Sequence, residues 1–187
     1  EALAQSGIAP TSVAGESGGR RRFPGELFLA APPVEHEWPQ RFGLAHKHPG
    51  GAASYDDLLD AARQDSGALH DDFQFGTIAE RLADEFGTSG SPITLSTACA
   101  SGASAIQLGV EAIRRGQTKA ALSIGTDGSI HAESLIRFSL LSALSTANEI
   151  PEGAAKPFSK NRDGFVMGEG AAALVLEDVE HARARGA

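Results

Sequence analysis

The segment STACASG, at residues 96–102, joins a strand-like run to a long helix of small residues. The residues before it, 92–97, are mostly β-branched or apolar, which predicts a strand. Residues 102–115 repeat small and apolar side chains at helical spacing, which predicts a buried helix. Cys99, the only cysteine of the chain, therefore lies in a turn at or just before a helix N-terminus.

This position suits a catalytic nucleophile. The unpaired N–H groups and the positive dipole end of a helix favour a thiolate over a thiol, and the same N–H groups can hold a developing oxyanion. A lone cysteine is also often a buried structural residue. The local pattern around Cys99 alone leaves both interpretations open.

Four motifs in a fixed order resemble the β-ketoacyl-acyl-carrier-protein synthases, the condensing enzymes of the thiolase-like superfamily, and in particular the elongating type of fatty-acid synthesis. They are TAC at 97–99, SIGTD at 123–127, ALST at 143–146 and PFSKNRDGFVMGEG at 157–170. The resemblance runs from Phe73 to the C-terminus. Because TAC matches the nucleophile motif of the family, the resemblance implies that Cys99 is the catalytic residue.

The resemblance also implies three substrate-binding residues. Phe138 matches an aromatic residue that lines the acyl pocket, and Asp163 and Phe165 match a loop beside the active-site entrance, where the aspartate braces or gates that entrance. Each has a simpler alternative, because Phe138 could be an ordinary core residue and Asp163-Gly164 could be an ordinary turn. No metal site is expected.

The fold expected from the resemblance is α/β and thiolase-like, with a mixed sheet flanked by helices. Residues 1–187 would form a partial N-terminal domain, without the first central strand and without the C-terminal half of the family. The residue pattern agrees with alternating strands and helices. It predicts strands over 25–31, 120–124 and 171–176, a helix over 77–86, a helical or irregular stretch over 132–144 and a short last helix ending near Gly186. It also predicts an exposed loop over 10–25 and a helix beginning near Ser54.

The implied activity is decarboxylative Claisen condensation of an acyl thioester with malonyl-acyl-carrier protein. Phosphopantetheine would belong to the partner acyl-carrier protein, so the enzyme needs no cofactor of its own. In the family two histidines and a lysine of the second half assist decarboxylation, so this segment alone is expected to be inactive. The resemblance further implies a homodimer. The alternatives are a polyketide-type ketosynthase and a non-catalytic scaffold or partner half of a condensing enzyme.

Composition and charge argue against several other classes of protein. The net charge of −8 argues against a nucleic-acid surface, and no apolar run is long enough to span a membrane. A single cysteine excludes an internal disulfide framework, which makes a cytoplasmic location the expectation. The first residue is Glu1 rather than Met, which suggests a processed product or an excerpt. His46-Lys47-His48 has no accompanying ligands and is interpreted as a solvated loop rather than a metal site.

Overall fold

The computed structural model describes residues 1–8, 23–33 and 71–187. The strands of the described part are β1 (Glu26–Ala30), β2 (Ile93–Leu95), β3 (Ala120–Asp127) and β4 (Gly170–Glu177). Its helices are α1 (Ala2–Ser6), α2 (Thr77–Phe86), α3 (Ser101–Arg114), α4 (Ala132–Leu140) and α5 (Val179–Ala184), with a 3-10 turn at Pro151–Gly153. The predicted helix near Ser54, the His46–His48 loop and most of the predicted loop over 10–25 lie outside the described residues.

The four strands form one mixed sheet in the order β2-β1-β3-β4. Strand β1 pairs in parallel with both neighbours, with Phe28 opposite Ile93 on one side and opposite Ser123 on the other. Strand β4 runs the other way, because the N–H of Asp178, just after β4, donates to the carbonyl of Lys119, just before β3, at 2.9 Å. The α/β class and the mixed sheet predicted from the sequence are confirmed.

The described chain divides into two compact units, residues 1–126 together with 172–187, and residues 127–171. In the first unit β1 is buried on both faces, which its apolar sequence ELFLA allows. Leu27 and Leu29 pack on one face with Ala79 of α2. Phe28 packs on the opposite face with Ala105 and other small residues of α3. The sheet is thus covered by a helix on each side.

Helix α3 approaches the sheet closely because it presents small residues to it. A Cβ added at Gly109 would lie 2.8 Å from both Leu176 Cδ1 and Ser123 Oγ. The Ser123 hydroxyl donates to the carbonyl of Ala105 at 3.0 Å and so ties strand to helix. This contact fixes α3, and with it the turn that carries Cys99, against the centre of the sheet.

Most predicted elements differ from the structure at their ends, and strand β3, for example, runs to Asp127 rather than ending at residue 124. The last residues of the predicted loop over 10–25 are not an exposed loop, because Phe23 is buried in the core and its N–H donates to the carbonyl of Phe86 at 2.9 Å. The strand before Cys99 ends at Leu95. Helix α4 stops at Leu140, and Ser142 takes a left-handed backbone conformation with φ 53°. No helix in the described ranges is both long and apolar enough to cross a membrane.

Candidate active site

Cys99 lies in the turn between β2 and α3, two residues before the first residue of the helix. Its side chain is exposed and forms no disulfide. The predicted placement of the thiol at the helix N-terminus is therefore confirmed. An exposed thiol in this turn is accessible for reaction, whereas the buried structural cysteine that the sequence left open would not be.

The hydroxyl of Ser101 closes this turn. It accepts a hydrogen bond from the Thr97 N–H at 2.7 Å and donates to the carbonyl of Ala98 at 2.6 Å. Ala98 has a left-handed backbone with φ 52°, a conformation that costs a residue with a Cβ about 1 kcal/mol. The turn thus holds a strained residue beside Cys99, and the two bonds of Ser101 offset that strain.

The second unit brings Phe138 and Phe165 together. Their ring centroids are 5.5 Å apart and their planes meet at 83°, which is an edge-to-face contact. Phe138 is 37% exposed and Phe165 is 44% exposed, so neither ring is closed off in a core. The pairing is compatible with the predicted substrate-binding roles, which remain predictions.

Asp163 lies at the end of the same loop and binds a second segment. One carboxylate oxygen accepts from the Ser145 hydroxyl at 2.8 Å, and the other accepts from the Thr146 N–H at 3.1 Å. The Ser145 hydroxyl, followed by the Thr146 N–H and the charge of Lys156, holds the pKa of the Asp163 carboxyl below its ordinary value. Asp163 is therefore ionised under neutral conditions and joins its loop to residues 145–146, while its predicted role at the active-site entrance remains a prediction.

A cavity of about 1060 Å³ opens beside Phe165 in the second unit. Phe158 lines it and is fully exposed, with a left-handed backbone at φ 63°. Three cationic side chains also line it, those of Lys156, Lys160 and Arg162. A cavity with aromatic walls and three cations suits an anionic ligand with an apolar part.

Sequence reasoning missed Ser101, which bonds within the turn of Cys99, and Ser145, which bonds to Asp163. A signal existed for Ser101, because serine two residues after a turn commonly bonds to the backbone at a helix start. Ser145 stands inside the quoted ALST motif, but its partner Asp163 is 18 residues away. The basic residues of the cavity were also visible in the sequence, although their convergence was not.

An exposed thiol held just before a helix that packs on a mixed α/β sheet is compatible with the class of the condensing enzymes. Comparison with known protein families identifies the family, because residues 39–182 match the N-terminal domain of β-ketoacyl synthase. The chain belongs to the β-ketoacyl synthase family. The expected family and the thiolase-like fold are confirmed.

This chain is similar to proteins of two kinds, polyketide ketoacyl synthases and 3-oxoacyl-[acyl-carrier-protein] synthases. The ketoacyl synthase alpha subunit of the tetracenomycin polyketide synthase from Streptomyces glaucescens is 40% identical over 64% of the chain and 28% of that protein. A mitochondrial 3-oxoacyl-[acyl-carrier-protein] synthase from Arabidopsis thaliana is 35% identical over 83% of the chain and 35% of that protein. The chain spans about a third or less of the length of these relatives.

A solved structure is similar as well. It shows a type II polyketide ketosynthase in complex with its acyl-carrier protein and bound to a hexaketide. The two chains superpose with a TM-score of 0.67 at 30% identity, over 87% of this chain and 38% of the other. The mixed sheet and the helices described above are therefore those of a ketosynthase.

Proposed function

We propose that this chain carries the nucleophile of an acyltransferase that performs decarboxylative Claisen condensation. The observation that supports this proposal best is the exposed Cys99 thiol of the TAC motif, held in the turn before α3. The 14-residue helix begins two residues after Cys99, and the unpaired N–H groups of a helix start can stabilise a developing oxyanion.

The proposed reaction has two stages. In the first, Cys99 Sγ attacks the carbonyl of an acyl thioester on the carrier protein, forms a new thioester and releases the thiol of the carrier. In the second, malonyl-carrier protein loses its carboxyl group as CO₂, and the resulting carbanion attacks the carbonyl of the acyl-enzyme. The Cys99 thiolate leaves, and the β-ketoacyl product remains on the carrier.

The test of this proposal uses the full-length protein and an acyl-carrier protein that bears a labelled acyl group. Wild type should gain the acyl mass at Cys99, and Cys99→Ala should lose acyl transfer by about three orders of magnitude or more, because it removes the only thiol of these 187 residues. Thermal melting of both proteins controls for folding. Acyl transfer that persists in a folded Cys99→Ala protein would contradict the nucleophile role, and a folded wild type that gains no acyl mass would favour the scaffold alternative.

The proposed pathway is fatty-acid elongation, and a polyketide-type ketosynthase is the second candidate. The elongating type is implied by the four motifs, whereas the 40% identity to a polyketide ketoacyl synthase favours the alternative. The two candidate functions can be distinguished by mass spectrometry of the carrier-bound product, when malonyl-carrier protein is supplied without reducing enzymes. One added ketide unit would support elongation, and a ladder of unreduced ketide units would support the polyketide reaction.

The proposed partners follow from the same chemistry. An acyl-carrier protein would deliver both thioesters and would also supply phosphopantetheine, so the enzyme itself needs no cofactor. The cations Lys156, Lys160 and Arg162 of the cavity in the second unit would suit the phosphate of that arm. A homodimer and a cytoplasmic location complete the proposal. Analytical ultracentrifugation and cell fractionation test these two points directly.

A further inference from the structure

The loop that carries Phe165 is attached to residues 143–146 by four hydrogen bonds. Two are the bonds of the Asp163 carboxylate to Ser145 and Thr146. The other two join backbone groups, because the Phe165 N–H donates to the carbonyl of Ala143 and the Ser145 N–H donates to the carbonyl of Phe165, each at 3.0 Å. The two segments therefore form a short ladder with the carboxylate at one end.

The ladder also leaves little space for movement at its centre. Gly164 has φ 156°, and a Cβ added there would lie 2.4 Å from the Leu144 carbonyl carbon and from the Ser145 nitrogen. Close backbone packing of this kind requires glycine and transmits a shift of one segment to the other. The residue that follows, Phe165, makes the edge contact with Phe138.

The Ser145 hydroxyl contributes more than one bond to this arrangement. It donates to Asp163 and accepts from the N–H of Ala147 at 3.2 Å. Its donation orients the carboxylate so that the second oxygen reaches the Thr146 N–H. Removal of this one hydroxyl would take away the only side-chain hydrogen bond that Asp163 makes within the described residues and would loosen the Asp163 end of the ladder, two residues before Phe165.

We propose that Ser145 and Asp163 are a positioning pair that fixes Phe165 against Phe138 and thereby sets the acyl-chain preference of the enzyme. The inference rests on the proposed function, because it assumes that the two rings border the acyl substrate. Neither polar residue needs to touch the substrate. Their effect would pass through the backbone ladder to the aromatic contact.

The experiment compares acyl-transfer kcat/KM for a series of acyl-chain lengths in the full-length enzyme. The variants are Phe138→Ala, Ser145→Ala, Ser145→Thr and Asp163→Asn. Ser139→Ala is the matched control, because its hydroxyl donates only to the carbonyl of Ile136 within α4. Thermal melting is recorded for every variant, and a Phe138→Ala/Ser145→Ala double variant measures coupling.

We expect Phe138→Ala to change the long-to-short kcat/KM ratio by about tenfold, as for loss of pocket contacts of this size. Ser145→Ala and Asp163→Asn should each move the ratio in the same direction by about threefold. The Phe138→Ala/Ser145→Ala double variant should change the ratio by less than the product of the changes in its two single variants, because both act on the same aromatic contact. Ser145→Thr keeps the hydroxyl and should restore the wild-type ratio.

The outcomes separate the two proposals. A wild-type ratio in both Ser145→Ala and Asp163→Asn, together with a changed ratio in Phe138→Ala, would overturn the positioning pair alone. An unchanged ratio in Phe138→Ala would overturn the pocket role on which the pair depends. Lower melting temperatures without any change in ratio would show a purely structural turn. If Ser145→Ala does not fold, the exposed Asp163→Asn decides the question.

Discussion

Ser101 makes two hydrogen bonds that act on the nucleophile turn without involving the thiol of Cys99. Their removal in Ser101→Ala should lower the free energy of unfolding by about 1 kcal/mol. Acyl transfer should fall by about ten- to hundredfold in kcat, because the turn would no longer fix the direction of the thiol. Steady-state kinetics and thermal melting measure the two effects.

Ser139→Ala is the control for this variant as well, since it removes a hydroxyl that also donates to the carbonyl three residues earlier. It should leave kcat at the wild-type value. Ser101→Thr should recover most of the lost kcat. Equal kcat values for Ser101→Ala and Ser139→Ala would contradict the role of Ser101.

Single residues of the site were predictable only where local sequence determines them. The position of Cys99 was predicted correctly because the strand pattern ends just before it and the helical pattern begins just after it. The left-handed backbone of Ala98 could not be predicted, because alanine rarely adopts it and the hydrogen bonds that stabilise it here depend on the folded turn. The partnership of Asp163 with Ser145 is non-local, and no periodic pattern reports such a contact.

At the scale of the elements, the contact of α3 with the sheet depends on Gly109. In Gly109→Ala the new Cβ would meet Ser123 Oγ and Leu176 Cδ1 at 2.8 Å. Leu176 can rotate, but Ser123 is held by its bond to Ala105, so relief would break that bond. The overpacking cost of about 1–3 kcal/mol exceeds the gain in helix propensity of about 1 kcal/mol. Chemical denaturation should therefore show a net loss of stability.

Gly102→Ala is the matched control, because Gly102 lies in the same helix and has no atom within 4 Å of an added Cβ. This variant should keep or raise the free energy of unfolding, by up to about 1 kcal/mol. Opposite signs for the two substitutions would establish that packing against the sheet, rather than helix propensity, decides the effect. A higher free energy of unfolding for Gly109→Ala would contradict this, and would show that Ser123 and Leu176 move to make room for the added Cβ at little cost.

Elements were predicted well where the pattern is strong and poorly at their ends. Helix α3 shows small residues at helical spacing, and its predicted span of 102–115 differs from the observed one by one residue at each end. Helix α2 ends at Phe86, as predicted, and the left-handed backbone of Gly87 at φ 61° gives the physical reason, because glycine readily adopts this conformation after a helix. Helix α4 carried no such signal, because Leu141 and the residues after it continue the apolar pattern past its actual end at Leu140.

At the scale of the whole chain, Arg185 joins the two ends of the first unit. Its guanidinium donates to the carbonyl of Ser6 at 2.8 Å and to both carboxylate oxygens of Glu177, at 2.7 and 2.8 Å. This bidentate geometry is the strong form of an arginine-carboxylate pair. Helix α1 is thus attached to residues that follow it by more than 170 positions in the sequence.

The ion pair gives this attachment a defined dependence on pH. Hydrogen bonding to Arg185 lowers the pKa of Glu177 from 4.5 to about 2. A carboxyl whose pKa is lower in the folded state stabilises the fold fully above its unfolded pKa. That contribution is then lost as the pH falls from about 4.5 toward 2. Glu177→Gln should remove this dependence, because a neutral amide does not titrate.

We therefore expect Glu177→Gln to lower the free energy of unfolding by about 1 kcal/mol at pH 7, with the difference from wild type shrinking between pH 4.5 and 2. Urea denaturation across this range measures it. The control is Glu180→Gln, whose partner Arg183 forms an ion pair with both side chains at least 70% exposed. Because solvent screens such a pair, this variant should match wild type at every pH. A constant difference for Glu177→Gln at all pH values would mean that packing rather than charge attaches the two ends.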